Sequence, residues 1–306
     1  MSNNANHTFK DFILAVRPWS FPASSMTAVV TFSYIFYIYK TNTQYQDINW
    51  IYGLLAIIGA VLSQAAGNLI SDYFDFKKGV DIKETHGTNR MLIDGIFKPK
   101  SFLRAGFILL FIISLIGIYL VLNTGIELLW IGLIGIFCAI FYYWFKYHAL
   151  GDFTIFIIYG PIIALGTAFV MTGYIDLNAL YISLPIAFLV VNILHANNTH
   201  DISNDKRAKI KTVPILLGFK ISQNLYLIND ILAYVLTTIL IITKILPIWS
   251  LLILITLFIA VKNIKTMFKA TEKNEDILEG LDGASAKLVL LFDFVLVVSL
   301  IIAAYV

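Results

Sequence analysis

The sequence predicts an all-α integral membrane protein, a single helical bundle of about nine transmembrane helices. Three observations predict it. Of 306 residues, 59% are hydrophobic and only 13% charged, about half the charged share of an ordinary soluble chain. Apolar stretches long enough to cross a bilayer recur from one end to the other. Nearly all the positive residues fall in alternate connecting segments. So much apolar surface excludes disorder, and a net charge of +3 is too small to imply a nucleic-acid partner. The single cysteine, Cys138, lies inside an apolar run, which excludes an internal disulfide and a cysteine metal cluster.

The first ten residues are polar, and the apolar run after them continues into a full span with no small-residue cleavage site, so it reads as uncleaved. Span 1 falls near 21 to 39 and span 2 near 51 to 70. Spans 3 and 4, near 103 to 122 and 126 to 145, are joined by a very short connection. So are spans 5 and 6, near 152 to 172 and 179 to 196. Span 7 falls near 225 to 243, span 8 near 247 to 261 and span 9 near 288 to 305. Span 8 is the shortest because Lys262 and Lys265 close it early, and snorkelling lets it borrow from its flank. The whole chain, 1–306, reads as one polytopic domain, with an N-terminal segment at 1–16 and long inner loops at 71–102, 197–222 and 262–287.

With the N-terminus cytoplasmic, the inner segments hold 20 of the 22 Lys and Arg residues, leaving Lys40 and Lys244 outside. The positive-inside rule then sets the N-terminus inside and the C-terminus outside. Lys outnumbers Arg by 18 to 4; with no transit peptide, this points to a bacterial cell membrane. The sequence carries no signature of an oligomeric state.

Two inner loops stand out. The first opens as Asn68-Leu-Ile-Ser-Asp72-Tyr73-Phe-Asp75 and continues to Gly79 and Asp81; the second reads Asn197-Asn198-Thr-His200-Asp201-Ile-Ser-Asn-Asp205. Asn68 and Asp72, and Asp201 and Asp205, stand four apart, which puts the polar groups on one face of each helix end. Like charges at that spacing repel, and an Asp carried toward the bilayer centre costs about 2.5–3.5 kcal/mol. A hard divalent cation relieves both problems. Mg²⁺ takes oxygen ligands and is commonly held by one or two carboxylates plus substrate phosphates. Two clusters facing each other suit two or so Mg²⁺ ions on one diphosphate. Spans 2 and 6 end on the same membrane face, so the echo reads as a parallel internal repeat. Arg90 and Lys211 are among the basic residues after each cluster; such side chains suit phosphate oxygens but also satisfy the topology rule. Aromatic residues at helical spacing mostly face lipid or pack. Tyr73, between motif aspartates, is a better site candidate, and the acidic connection before span 9 reads as solvated, with some chance of capping the pocket.

On these residues the chain resembles the UbiA superfamily of intramembrane prenyltransferases, most closely its 1,4-dihydroxy-2-naphthoate polyprenyltransferases. RPWSFPAS from Arg17 resembles that branch's RPxTLPA, and NLISDYFDFKKGVD from Asn68 is similar to NLxNDYxDxxxGxD. LGDFTIFIIYGPIIALGT from Leu150 resembles LGExxVFxxFGPxxxxGT, placing Asp152 at an acidic position. NNTHDISNDKRAKIKTVPILLG from Asn197 resembles NNxRDxxxDxxxGKxTLxxxLG. His200 stands for the arginine, Ser71 for an Asn, and Ile210 is read in place of the glycine, with Lys211 as the lysine. The resemblance implies Mg²⁺ held by Asp72, Asp75, Asp201 and Asp205. It also implies a polyprenyl diphosphate bound with Asn68, Tyr73, Asp81, Arg90, Asn197, Asn198, His200 and Lys211, and an aromatic acceptor near Tyr142 and Asp152. The implied reaction is prenyl transfer to the naphthoate with loss of CO₂, giving demethylmenaquinone. Other acceptors, 4-hydroxybenzoate, homogentisate or a glyceryl phosphate lipid, fit the same metal chemistry. An ion-coupled transporter is the alternative from another class, but it predicts charges near span centres and matched Gly/Pro breaks.

Overall fold

In the computed structural model, residues 9–42, 45, 47–80, 82 and 91–306 are described; Asp81 and Arg90 lie outside them. Among the described residues nine helical segments are long and apolar enough to cross a membrane, the first at Pro18–Thr41 and the last at Glu275–Ala303. The expected count and the helical class hold.

A short helix α1 (Phe9–Ala15) precedes α2 (Phe21–Thr41), α3 (Trp50–Lys78), α4 (Pro99–Thr124) and α5 (Glu127–Tyr147). The fifth span is α6 (Gly151–Ile157), a π turn (Ile158–Ile162) and α7 (Ile163–Thr172). Then come α8 (Leu177–His200), short α9 (Ile202–Arg207) and α10 (Val213–Leu217), α11 (Phe219–Ile242), a 3₁₀ stretch (Ile248–Thr256) leading into α12 (Leu257–Lys269), and α13 (Leu281–Ala303). Helix α8 is the hub. It packs on α6, α11 and α13, and α13 returns to pack on α2. Its buried residues Ile182, Ile186, Leu189 and Val190 join Phe292 and Leu296 of α13 in the main core. By contrast α5 buries only Leu128 and Tyr147, as befits a helix whose apolar surface meets lipid.

The structure corrects the segment boundaries. The loop expected from 71 is helical to Lys78, because Gly79 at φ +71° provides the left-handed cap that stops α3. Residues 197–200 complete α8, and 202–207 and 213–217 are helical within the second loop. The third is helical to Lys269 and again from Leu281. Span 8 is not short: its nine-residue 3₁₀ stretch rises faster per residue than an α-helix, and Lys262 and Lys265 ride on the exposed side of α12. Residues 9–15 fold back, and Ala15 and Val16 pack with Leu69 of α3 and Phe97 and Phe102 beside α4.

Pro161 lies in the π turn. Proline removes a donor from the ladder, and inside a membrane each released carbonyl needs another partner. Within the same turn the Tyr159 carbonyl accepts from the Thr27 hydroxyl of α2, 2.6 Å away; the carbonyl that Pro161 itself leaves without a ladder donor lies about four or five residues before the proline. Gly160 lets this turn press on α8, where a Cβ would come within 2.6 Å of the Ala187 Cβ.

Candidate active site

The two acidic motifs end their helices in the same way. Val80 N–H donates to the Asp75 carbonyl (3.0 Å) and Gly79 N–H to that of Phe76 (3.2 Å). In the second motif, Ile210 N–H donates to the Asp205 carbonyl (3.1 Å) and Lys209 N–H to that of Lys206 (3.1 Å). Both are Schellman caps, in which the residue after the last helical one takes left-handed φ; Lys209 does so at +55°. The apolar residues that follow, Val80 and Ile210, pack together with Tyr147, and Arg207 reaches the Val80 carbonyl at 3.4 Å. The two motif ends therefore stand at the same end of the bundle and touch.

This geometry also corrects the register of the second motif. Counted from Asn197, the family pattern's glycine falls on Lys209, not Ile210, and its lysine falls on Ile210, which is 3% exposed. Lys211 is displaced by one: its side chain is exposed, and its backbone bonds the end of α5, through Tyr147 O (3.0 Å) and Ala149 N (2.6 Å).

A cavity of about 300 Å³ opens between α2, α3, α5, the α6–π segment, α8 and the start of α13. Asn68, Asp72, Asp75, Tyr142 and Asn197 line it, together with Arg17, Lys146 and Asp282. Each carboxylate of α3 is already paired. Asp72 accepts from the Arg17 guanidinium. Asp75 accepts from Lys146 Nζ at 3.2 Å and from the Tyr147 hydroxyl at 2.5 Å. Asn68 holds the N-terminal segment in place, donating to the Val16 carbonyl and the Ser20 hydroxyl, both at 3.0 Å. That anchoring sets Arg17 at φ +56°, a conformation that a non-glycine residue keeps only when its surroundings enforce it.

On the second motif, Asp201 accepts from Asn197 (3.2 Å) and meets His200 Nδ1 at 2.9 Å. Asp205 is 3% exposed; burial pushes its carboxyl up to about 7, the charge of Lys146 opposing this and those of Asp201 and Asp75 adding to it. Lys146 thus stands within electrostatic reach of both motifs. Among the described residues, Asp205 Oδ2 and Asn198 Oδ1 are buried oxygens with no hydrogen-bond partner.

Those orphaned oxygens suit a hard cation. No group of three or more His, Cys, Asp or Glu among the described residues is close enough to hold a metal by itself, so the four aspartates do not form one cage. A cation here takes one or two carboxylates and completes its shell with water and ligand phosphate.

Other expected residues stand apart. Tyr73 packs in the apolar cluster around Phe97 and Phe102, not on the cavity. Asp152 bonds buried His195 (Oδ2–Nδ1 2.7 Å), whose Nε2 faces the Ser222 carbonyl at 3.0 Å. Arg17 and Lys146, which line the cavity, were not among the site residues expected from the sequence.

A family model described as the UbiA prenyltransferase family matches residues 41–276. The chain is 35% identical over 229 residues to UbiA prenyltransferase domain-containing protein 1 of Gallus gallus; the match covers 73% of this chain and 66%, just under two thirds, of that protein. The apo structure of a UbiA homolog from Aeropyrum pernix K1 superimposes with a TM-score of 0.68 at 17% identity, covering 90% of this chain and 97% of that one. A UbiA homolog from Archaeoglobus fulgidus bound to DMAPP and Mg²⁺ gives 0.61 at 12% identity, covering 94% and 99%. At such identities the likeness of these two structures is one of fold.

Proposed function

Since the chain belongs to the UbiA prenyltransferase family, we propose that it transfers a polyprenyl group from a polyprenyl diphosphate to an aromatic acceptor within the membrane. The observation that carries this reading is one cavity lined by Asn68, Asp72 and Asp75 of the first motif, Asn197 of the second and two cationic side chains, whose other walls, Ile155, Ile158, Ile162 and Ile163 among them, are apolar. A diphosphate suits the charged end and a prenyl tail the apolar walls. The archaeal neighbour bound to DMAPP and Mg²⁺ supports the same donor class and metal.

Asp72 and Asp75, with Asp205 and Asn198 opposite, are the oxygens that would hold Mg²⁺; Asp201, tied to His200 and Asn197, keeps the turn into α9 in place. Asp81 and Arg90 complete the first motif in this reading. Bound Mg²⁺ supplies neutralising charge to the leaving diphosphate. Arg17 and Lys146 exchange their carboxylate partners for diphosphate oxygens, and their fixed positive charge favours departure of the electron pair of the C1–O bond with the diphosphate. An electron-rich ring carbon of the acceptor then forms the new C–C bond to C1. The apolar walls of the cavity limit the water around the allylic cation.

For the acceptor we favour 1,4-dihydroxy-2-naphthoate, on the strength of the four motif resemblances. Prenylation at the carbon bearing the carboxylate is followed by loss of CO₂, whose bonding electrons restore the aromatic ring. The site faces the cytoplasm in this reading, since both motif ends lie where the basic residues gather. The test is turnover by the purified protein in lipid, with polyprenyl diphosphate, Mg²⁺ or chelator, and a panel of the naphthoate, 4-hydroxybenzoate, homogentisate and a glyceryl phosphate lipid. Mass spectrometry of a Mg²⁺-dependent, decarboxylated prenyl-naphthoquinol supports the full reading. Product with another acceptor alone overturns the naphthoate assignment, and no product with any acceptor overturns prenyl transfer.

A further inference from the structure

The polar side chains around the cavity fall into two groups. Toward the motif end, Arg17, Asn68, Asp72, Asp75, Lys146 and Asn197 are hydrogen-bonded to protein partners. Further in, a neutral group is not. Gln64 is 8% exposed and lines the cavity, and its Oε1 is buried without a partner. Tyr142 from α5 and Tyr159 from the π turn line the same cavity.

Gln64 is one helical turn before Asn68 and eight residues before Asp72, about 12 Å along the helix axis toward the membrane interior. A buried amide oxygen left unpaired is unfavourable, and an apolar tail laid against it leaves it so. A ligand hydroxyl satisfies it. An unpaired buried amide oxygen that shares one cavity with two tyrosines makes a site suited to a polar ligand. The π turn fits this role, because such single-turn irregularities reposition side chains at functional sites; here it sets Tyr159 on the cavity wall.

We infer that Gln64 accepts a hydrogen bond from a ring hydroxyl of the aromatic acceptor, with Tyr142 and Tyr159 beside it, so that this neutral tier is the acceptor subsite next to the diphosphate. This rests on the proposed prenyl transfer and adds to it a residue that reads the acceptor. The ring then lies within reach of C1, and the tail follows the isoleucine wall of the α6–π segment.

The experiment measures steady-state kinetics of the full chain in lipid, varying acceptor and polyprenyl diphosphate separately, for wild type and Gln64→Met, a substitution of similar length that cannot accept the bond. The expected result is an acceptor KM raised about tenfold, with the diphosphate KM and Mg²⁺ requirement unchanged. The wild type is also expected to lose about tenfold in acceptor KM when that ring hydroxyl is O-methylated, and Gln64→Met to discriminate far less. An unchanged acceptor KM in Gln64→Met, a rise in the diphosphate KM instead, or a wild type indifferent to O-methylation overturns the subsite while leaving prenyl transfer standing. The O-methylation arm needs only wild type, so a poorly folded variant does not remove the test. A wild type that prenylates no aromatic acceptor overturns both.

Discussion

Lys146→Met is the most informative single change, because Lys146 is the cation shared by both motifs. Its Nζ lies 3.2 Å from Asp75 Oδ2, with side-chain exposures of 14% and 6%. At that separation and an effective dielectric near 20 the gross attraction is about 5 kcal/mol. Removing one partner of a buried pair typically costs about 3–5 kcal/mol, because the charge left behind is uncompensated. The Tyr147 hydroxyl, 2.5 Å from Asp75 Oδ1, remains and moderates the loss, so about 2–3 kcal/mol is expected for the metal-free protein. If Lys146 stands where a metal would otherwise neutralise Asp75, then Mg²⁺ with a prenyl diphosphate recovers much of that deficit. Thermal unfolding in detergent, followed by tryptophan fluorescence with chelator and then with Mg²⁺ and diphosphate, measures both quantities. An equal deficit under the two conditions, or none with chelator, refutes the reasoning.

Further predictions follow from the same contacts. Asp72→Asn and Asp205→Asn should each lower turnover by at least about 10²-fold while the protein still folds; near-normal turnover in either removes that residue from the metal set. Lys209→Gly relieves a left-handed backbone position and should raise stability by up to about 1 kcal/mol, read as a higher unfolding temperature with turnover retained. His195→Ala leaves half-buried Asp152 without this partner and should destabilise by about 1–3 kcal/mol; an unaltered unfolding temperature would show the pair to be inert. Burial holds the Asp205 carboxyl at about 7, above its unfolded value. Its penalty to the metal-free fold is therefore absent at low pH, grows as pH rises toward 7 and is complete above it. Asp205→Asn should accordingly stabilise the chelated protein near pH 8, and the difference should vanish near pH 4.

The spans were legible because hydropathy and length alone determine them, and the two motifs because paired Asn and Asp at helix ends are costly unless something uses them. What the sequence concealed has identifiable causes. Arg17 and Lys146 sit at helix ends, where the positive-inside rule by itself accounts for a cation, so their pairing with Asp72 and Asp75 needed the packing of the N-terminal segment and α5 against α3. Gln64 is one amide in an apolar run, with no periodic partner to mark it. The one-residue slip at Lys209 arose because a lysine in a glycine's conformation has no local signature; the matching Schellman caps after Asp75 and Asp205 reveal it. The 3₁₀ stretch that lengthens span 8 and the π turn at Pro161 are likewise tertiary outcomes, since local propensity does not specify either.

The central claim is that both motifs grip one Mg²⁺-bound diphosphate. It is tested most directly by an experimental structure of the protein in lipid with Mg²⁺ and a non-hydrolysable prenyl thiolodiphosphate. The account predicts diphosphate density between Asp75 of α3 and Asp205 of α9, with Arg17 and Lys146 turned from their carboxylates toward phosphate oxygens. A diphosphate bound by the first motif alone, with Asp205 Oδ2 and Asn198 Oδ1 still unpaired, would contradict it.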